Sequence, residues 1–138
     1  MKPEEINQLL LLSIGSNIRR SVNIDIAKRE LRALLGPTVK FTPTLLTAPI
    51  DMSGPKFMNL LATADCRLPY PVIREKLKAI EQLCGNSREK RALGIVELDI
   101  DILSHLGIRH HEKDWKRPYI NELITMMTID NYSLLITN

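Results

Sequence analysis

The sequence predicts an α+β fold, a ferredoxin-like sandwich in which an antiparallel sheet carries two helices on one face. Apolar runs of strand length, closed by turn-forming residues, predict the strands. Two longer segments with apolar residues at helical spacing predict the helices. These elements follow one another as β-α-β-β-α-β, the split βαβ arrangement. Because many unrelated activities use this arrangement, it indicates no particular function.

The first half of the chain predicts a strand, a helix and a second strand. Residues 9–14 form a continuous apolar run followed by Gly-Ser-Asn, which is typical of a buried central strand. Apolar residues then recur at helical spacing over residues 24–35, and we expect Ser21 to cap this helix. Residues 39–47 predict a strand that Pro43 places at a sheet edge or a bulge.

The second half predicts a strand, a helix and a last core strand. Residues 57–66 predict an apolar strand interrupted by Asn59. Residues 69–84 predict a helix that begins at prolines and ends at a glycine. The polar residues 86–90 predict a loop, and residues 98–102 predict the last core strand.

Length and composition describe one ordinary domain. The chain has 138 residues, of which 44% are hydrophobic and 25% are charged, and this suits a single domain with a real core. We expect that core over about residues 9–106, followed by a variable tail over residues 107–138. Within the tail, residues 119–138 predict one more short helix and a fragment of strand.

Charge and cysteine usage narrow the class of protein. The net charge is +3 and only 4% of the residues are aromatic, so the stacking surfaces of single-stranded nucleic-acid binders are missing. Cys66 and Cys84 have no C-x-x-C partner and no zinc spacing with the histidines. The apolar runs are too short to span a membrane, and no export signal is recognisable. We therefore expect a cytoplasmic protein that binds neither nucleic acid nor membranes.

Apolar and acidic residues alternate over residues 98–102 (LDIDI). Because side chains alternate in a strand, Asp99 and Asp101 leave the same face, roughly 6.5–7 Å apart. Aspartate is a poor strand residue, so the pair calls for a reason. The pattern fits either the acidic solvent face of a half-buried strand or a site where two carboxylates hold Mg²⁺ against substrate phosphates.

Asn59 is a second candidate site residue. Its amide offers a donor and an acceptor, which suits recognition of a heterocycle edge. The alternative is an amide that is satisfied by neighbouring backbone. The sequence contains no P-loop and no Ser-His-Asp or Cys-His arrangement. His110 and His111 lie in a charged stretch, where a solvated surface is favoured over a ligand role.

Several short motifs resemble those of the 6-hydroxymethyl-7,8-dihydropterin pyrophosphokinase family of folate biosynthesis. Residues 12–17 (LSIGSN) resemble the family's ALGSN opening. Residues 47–50 (TAPI) resemble its TPPL loop, and residues 57–59 (FMN) resemble its YLN motif. Each of these motifs is short, and their shared order gives the resemblance its weight.

The resemblance continues into the second half of the chain. Glu81, Gly85 and Arg88 match the end of the family's second helix and the loop beyond it. Gly94 and residues 98–102 are similar to its GPRTLDLDI signature. The order and spacing agree over most of the chain, which identifies it as a member of this family.

The resemblance implies transfer of pyrophosphate from ATP to the hydroxymethyl group of the pterin, with release of AMP and the use of two Mg²⁺ ions. It also implies the α+β fold predicted above. The implied site residues are Asp99 and Asp101 as metal ligands, Thr47 and Asn59 on the pterin, and Glu81 and Arg88 on the nucleotide, with Arg88 as the catalytic cation. The expected partners are therefore a pterin and ATP.

The chain departs from the family's motifs at several positions. Asn86 stands for the first arginine of an R-x-R pair, Leu93 for a tryptophan, Val96 for the signature arginine, and Tyr119 for the histidine of a Pro-His pair. The tail offers no match for a later arginine and a pterin-stacking phenylalanine. Candidates to supply positive charge from new positions are Lys90, Arg91, Arg109 and Arg117. Losing one such cation costs on the order of 10²–10³ in rate, so we expect weakened activity.

Two other classes of protein stay open. The lost arginines favour a non-catalytic relative that binds a pterin or a nucleotide and acts as a sensor or partner subunit. The retained Asp99, Asp101 and Asn59 favour an enzyme instead. A ferredoxin-like interaction or nucleic-acid module is suggested only by the fold and the mild positive charge.

Overall fold

The computed structural model describes residues 9–51 and 53–137, with side chains up to residue 127. These residues include six strands, β1 (Leu10–Ser16), β2 (Lys40–Phe41), β3 (Leu45–Thr47), β4 (Phe57–Ala64), β5 (Asp99–His105) and β6 (Ile108–Arg109). They also include four α-helices, α1 (Arg20–Leu35), α2 (Tyr70–Leu83), α3 (Arg88–Ala92) and α4 (Pro118–Thr137). Among the described residues, no helix is long and apolar enough to cross a membrane.

The strands form one antiparallel sheet in the order β2-β4-β1-β5-β6, and β3 also pairs with β4. The apolar strand β1 lies between β4 and β5, as expected for a strand that is buried on both faces. Ile14 pairs with Leu60 on one side and with Ile100 on the other. The sheet order and the helices together confirm the predicted α+β ferredoxin-like fold.

One face of the sheet packs against α1 and α2. Ile24, Ala27 and Leu31 of α1 lie in the same buried cluster as Ile73 and Leu77 of α2. Helical spacing places each of these sets on one side of its helix, so both helices bury their apolar stripes against the sheet. The prediction that these two helices share a face is therefore confirmed.

The opposite face of the sheet is covered at one end only. There Leu11, Leu61 and Leu103 pack against Ile120 and Leu123 of α4. Side chains two residues apart along a strand share a face, so this face continues from each of these leucines toward polar positions on β1, β4 and β5. The helix α4 leaves that polar end of the face uncovered.

Two details near the start of the chain differ from the predictions. Ser21 is not the helix cap, because α1 begins one residue earlier and follows Arg19 in a left-handed conformation (φ 42°) without a side-chain cap. Residues 39–47 form two short strands rather than one. Pro43 has no N–H for the ladder, and the chain leaves β4 between β2 and β3 at this proline.

Two predictions later in the chain were also wrong. Residues 86–90 are not all loop, because Ser87 Oγ accepts a hydrogen bond from Lys90 N (3.2 Å) and caps the short helix α3. The tail holds the single 20-residue helix α4 instead of a short helix and a strand fragment. The last strand of the described residues, β6, precedes that segment.

Candidate active site

A cavity of about 180 Å³ opens at the uncovered polar end of the sheet. Its floor comes from adjacent positions on β1, β4 and β5, and its walls come from the loop after β3 and the segment that leads into α4. The lining residues are Ser13, Gly15, Thr47, Ala48, Ile50, Phe57, Asn59, Asp99, Asp101, Asp114, Arg117 and Tyr119. The structure thus brings together Thr47, Asn59, Asp99 and Asp101, four of the residues that the resemblance implies for the site.

Gly15 makes room for this cavity. In the sheet register it lies between Asn59 on β4 and Asp99 on β5. A Cβ atom at Gly15 would approach Asn59 Oδ1 to 3.0 Å. A side chain here would therefore crowd the Asn59 amide and take space from the cavity.

Asn59 is nearly buried, and its amide is held by a side chain rather than by backbone. Its Nδ2 donates a hydrogen bond to Thr47 Oγ1 across the β3–β4 pair. Among the described residues, no donor lies within hydrogen-bond distance of Asn59 Oδ1. The Asn59 carbonyl and the Thr47 hydroxyl therefore present an acceptor and a second polar atom to the cavity.

Asp99 and Asp101 leave the same face of β5, opposite Gly15 and Ser13 of β1. Burial raises the pKa of Asp101 to about 7, and the neighbouring carboxylates of Asp99 and Asp114 add to the shift. Negative charge is thus crowded at this end of the strand. Such crowding is typical of carboxylates that accept a cation.

Glu81 approaches the same strand from the last turn of α2. Its Oε2 accepts a hydrogen bond from Ile100 N (2.7 Å). Burial raises the pKa of Glu81 to about 7, even though this hydrogen bond opposes the shift, and Asp99 and Asp101 contribute to it. Glu81 does not line the cavity itself.

Two arginines and a histidine border the acidic residues. Arg91 Nη2 lies 3.0 Å from Asp99 Oδ1, and Arg117 Nε lies 2.9 Å from Asp114 Oδ1. His111 lies between two carboxylates, with Nε2 3.9 Å from Asp101 Oδ1. The ligand atoms of Asp101, His111 and Asp114 all lie within 4.8 Å of one another, so these residues could contribute to holding a metal ion.

Arg88 lies apart from this cluster. It is the first residue of α3, it is exposed, and its side chain has no hydrogen bond or ion pair with another described residue. It does not line the cavity. The structure therefore brings the predicted acidic and amide residues together but leaves the predicted catalytic arginine outside.

Two residues of the cavity wall, Arg117 and Tyr119, could not be placed there from the sequence, although Arg117 is one of the candidate cations named above. Tyr119 counted as a departure from a Pro-His pair, yet its ring lines the cavity, and burial raises the pKa of its hydroxyl. The sequence signal for these two residues is an arginine and an aromatic residue two positions apart. This signal indicates a site only once the position of the segment is known. Trp115 fixes that position by donating hydrogen bonds to Leu103 O (3.1 Å) and His110 O (3.0 Å).

Asparagine side chains hold the segment that leads into β5. Asn17 is buried, its Nδ2 donates to Gly94 O (2.7 Å), and its Oδ1 accepts from Val96 N (2.7 Å). Asn86 Oδ1 accepts from Glu97 N (3.0 Å), and its Nδ2 donates to Leu98 O. Asn86 and Val96, two of the positions where family arginines are missing, therefore contribute to the packing of the β5 entrance.

The charge of Glu97 is buried in this segment and fully paired. Its carboxylate accepts hydrogen bonds from Lys90 Nζ (2.8 Å), Asn23 Nδ2 (3.0 Å) and Arg19. Burial alone would raise its pKa, but these three donors hold the pKa of Glu97 below its usual range. Lys90 is thereby fixed, and with it the helix α3.

The loops before β4 and before β5 meet at Gly54 and Gly94. Gly54 has a φ of +144°, and a Cβ atom there would lie only 2.8 Å from the Gly94 carbonyl oxygen. Only a glycine allows this approach without a shift of the backbone. The contact brings the two loops together at the edge of the site.

The family comparison agrees with this geometry. The sequence model of the family described as 7,8-dihydro-6-hydroxymethylpterin-pyrophosphokinase (HPPK) matches residues 11–130. No curated protein matches the chain at a significant level. The family match covers β1 to β5, the cavity and the start of α4. The chain therefore belongs to the 7,8-dihydro-6-hydroxymethylpterin-pyrophosphokinase family.

Proposed function

We propose that the protein transfers pyrophosphate from ATP to the hydroxymethyl group of 6-hydroxymethyl-7,8-dihydropterin in a Mg²⁺-dependent reaction that releases AMP. One observation carries the proposal. The two same-face carboxylates of Asp99 and Asp101 border a cavity whose other end holds the hydrogen-bonded Asn59–Thr47 pair. A site for phosphates and a site for a polar ring thus lie side by side.

The pterin fits the Asn59 end of the cavity. The cavity volume of about 180 Å³ is below the range of about 300–1,000 Å³ that is usual for pockets that bind drug-sized ligands. A small flat ring therefore suits the cavity better than a whole nucleotide. Asn59 and Thr47 would hydrogen-bond to the ring edge, and the rings of Phe57 and Tyr119 line the same space.

The residues at the other end fit a divalent cation. Asp99 and Asp101 would hold Mg²⁺, which prefers oxygen ligands. The raised pKa values of Asp101 and Glu81, caused mainly by burial and further by neighbouring carboxylates, support this, because a bound cation would offset the cost of ionising these groups. When bound there, Mg²⁺ supplies charge neutralisation and orientation for the phosphates.

The nucleotide would lie outside the cavity, along the Asp99 side of β5. In this arrangement Glu81 of α2 and the exposed Arg88 of α3 would contact the nucleotide, which are the roles that the resemblance implies. The hydroxymethyl oxygen forms a bond to the β-phosphorus, and the bond from that phosphorus to the α,β-bridging oxygen breaks, which leaves AMP. Such transfers depend on positioning and charge neutralisation more than on covalent catalysis.

A second candidate function is a non-catalytic pterin- or nucleotide-binding protein that acts as a sensor or partner subunit. Asn86 and Val96 favour it, because the structure commits both to the packing of the β5 entrance. Neither position can supply the positive charge that the family's arginines give to the phosphates. The two functions differ in whether bound ATP is consumed.

Formation of AMP separates the two functions. With ATP, Mg²⁺ and 6-hydroxymethyl-7,8-dihydropterin, we expect AMP that requires the pterin and is lost in the Asp99→Ala/Asp101→Ala variant. Calorimetric titration with Mg-ATP and the pterin measures binding in the same samples. A folded protein that binds both ligands but forms no AMP would contradict the enzyme and support the sensor.

We further propose that this single domain works in a reducing, cytoplasmic environment. Cys66 and Cys84 are both buried free thiols, which suits a compartment that keeps cysteines reduced.

A further inference from the structure

We propose that Arg91 is a phosphate-binding residue of this site that pairs with Asp99 until the metal-bound nucleotide arrives. The inference rests on the proposed function, and it assigns to Arg91 the positive charge that Val96 no longer provides. While the site is empty, Arg91 neutralises Asp99. When Asp99 binds a divalent cation, Arg91 leaves it and binds the phosphates of the nucleotide.

The ion pair between Arg91 and Asp99 has the properties of an exchangeable contact. Arg91 Nη2 lies 3.0 Å from Asp99 Oδ1, and the two side chains are 46% and 35% exposed. Ion pairs with this exposure contribute little to stability, so the guanidinium can leave without unfolding its surroundings. Within the described part of the chain, Asp99 has no other ion pair.

The backbone that carries Arg91 is fixed. Ser87 caps α3, and Lys90 Nζ bonds to Gly85 O (2.9 Å) and to the buried Glu97 carboxylate (2.8 Å). Lys90 is the neighbour of Arg91 in the chain, so the base of the arginine side chain cannot drift away from β5. A flexible cation on a fixed base is suited to follow charge that appears next to Asp99.

The other cations near the site are paired differently. Lys90 and Arg19 both bind Glu97, and Arg117 binds Asp114, three residues before it. Arg91 alone among the described arginines and lysines pairs with one of the two aspartates on the floor of the cavity. Binding of the metal-nucleotide complex to Asp99 therefore frees the Arg91 guanidinium when the phosphates reach the site.

Electrostatics gives the direction of the exchange. A divalent cation on Asp99 repels the guanidinium, and a phosphate that shares this cation attracts it into the same space. The planar guanidinium matches phosphate oxygens in a bidentate geometry and keeps its charge at any pH of interest. Arg91 therefore opposes binding of the metal alone and favours binding of the metal together with the nucleotide.

The test therefore compares the effect of an Arg91 substitution on binding of the metal alone with its effect on binding of the metal together with the nucleotide. We expect Arg91→Ala to bind Mn²⁺ alone about three- to tenfold more tightly than the wild type, because a competing cation is gone. The same variant should bind a Mn²⁺ complex of a non-hydrolysable ATP analogue more weakly and form AMP roughly 10²–10³ more slowly. Arg91→Lys keeps the charge but loses the bidentate geometry, so its affinities and its rate should lie between those of the wild type and those of Arg91→Ala.

Electron paramagnetic resonance of free Mn²⁺ measures the metal affinity, and calorimetry measures the nucleotide affinity. Arg67→Ala is the matched control, because Arg67 also pairs with an exposed aspartate, Asp65, on a part of the surface away from the cavity. That variant should match the wild type in every measurement. Equal melting temperatures for all variants would show that folding is unaffected.

The outcomes separate this inference from the proposed function. If the wild type binds Mn²⁺ and Arg91→Ala binds it no more tightly, or binds the nucleotide complex equally well, the role of Arg91 is overturned while the metal site stands. If neither the wild type nor Arg91→Ala binds Mn²⁺, alone or with the ATP analogue, the metal site of the proposed function fails, and the role of Arg91 fails with it.

Discussion

Asp101→Asn is expected to lower the rate of AMP formation by about 10³ or more and to leave the protein folded. The substitution keeps the size of the side chain but removes one of two carboxylates that would hold the cation. Steady-state AMP formation at saturating Mg²⁺ measures the effect. Because the neutral amide is a much poorer ligand, added Mg²⁺ should not restore the rate.

The same variant is expected to be more stable than the wild type at high pH when no metal is present. The pKa of Asp101 is about 7 in the folded protein, above that of a free aspartate, so the wild type loses stability as the pH rises from about 4 to 7 and stays at that lower stability above pH 7. The melting temperature of Asp101→Asn should therefore exceed that of the wild type at pH 8. Below about pH 4, where both forms of the wild type are protonated, the difference should vanish.

Asp65→Asn serves as the control for these experiments, because Asp65 is exposed and lies away from the cavity. It should leave both the rate and the melting temperature unchanged. Full activity in Asp101→Asn would contradict the ligand role of Asp101, and a loss of stability at pH 8 would contradict the stability prediction.

Asn17→Ala is expected to lower the free energy of unfolding by about 2–4 kcal/mol. The substitution leaves Gly94 C=O and Val96 N–H without their side-chain partners in a buried position. For a domain of this size, the melting temperature should fall on the order of 10 °C. Thermal and urea unfolding, followed by circular dichroism, measure both quantities.

Asn121→Ala is the matched control for Asn17→Ala. The Asn121 amide makes only an exposed hydrogen bond to Arg117 O (3.4 Å), so its loss should change the stability by less than about 1 kcal/mol. An Asn17→Ala variant as stable as this control would mean that water or a local shift satisfies the buried groups. The segment before β5 would then not depend on Asn17.

Much of the fold could be predicted because periodicity is a local property of the sequence. The continuous apolar run at residues 9–14 predicted the central strand, and the LDIDI alternation placed Asp99 and Asp101 on one face. Gly85 was expected at the end of the second helix, and it has the left-handed φ of 85° that this position requires. Each of these features depends on a few consecutive residues.

The position of α4 could not be predicted in the same way, because it depends on contacts between distant segments. Leu11, Leu61 and Leu103 come from three strands and form one apolar surface only after the sheet has assembled. The sequence contained one indication of a second layer. An apolar run with no polar face, such as residues 9–12, must be covered on both sides of the sheet. A second layer of helix was therefore implied, but its origin in the tail was not.

The wall of the candidate site was hidden from the sequence for a similar reason. Arg117 and Tyr119 reach the cavity because Trp115 anchors their segment to the backbone of β5. The pairing of Arg91 with Asp99 also depends on α3, which sequence reasoning took for a loop. The position of Arg91 depends on the Ser87 cap of α3 and on the ion pair between Lys90 and Glu97. Neither contact produces a periodic pattern in the sequence.

The most direct test of the account is to identify the products by phosphorus-31 NMR. The protein is incubated with ATP, Mg²⁺ and 6-hydroxymethyl-7,8-dihydropterin, with Asp101→Asn as the control. The account predicts AMP and a pterin diphosphate ester in equal amounts, and neither product with the control variant. Unchanged ATP with a folded wild-type protein, or ADP in place of AMP, would contradict pyrophosphate transfer.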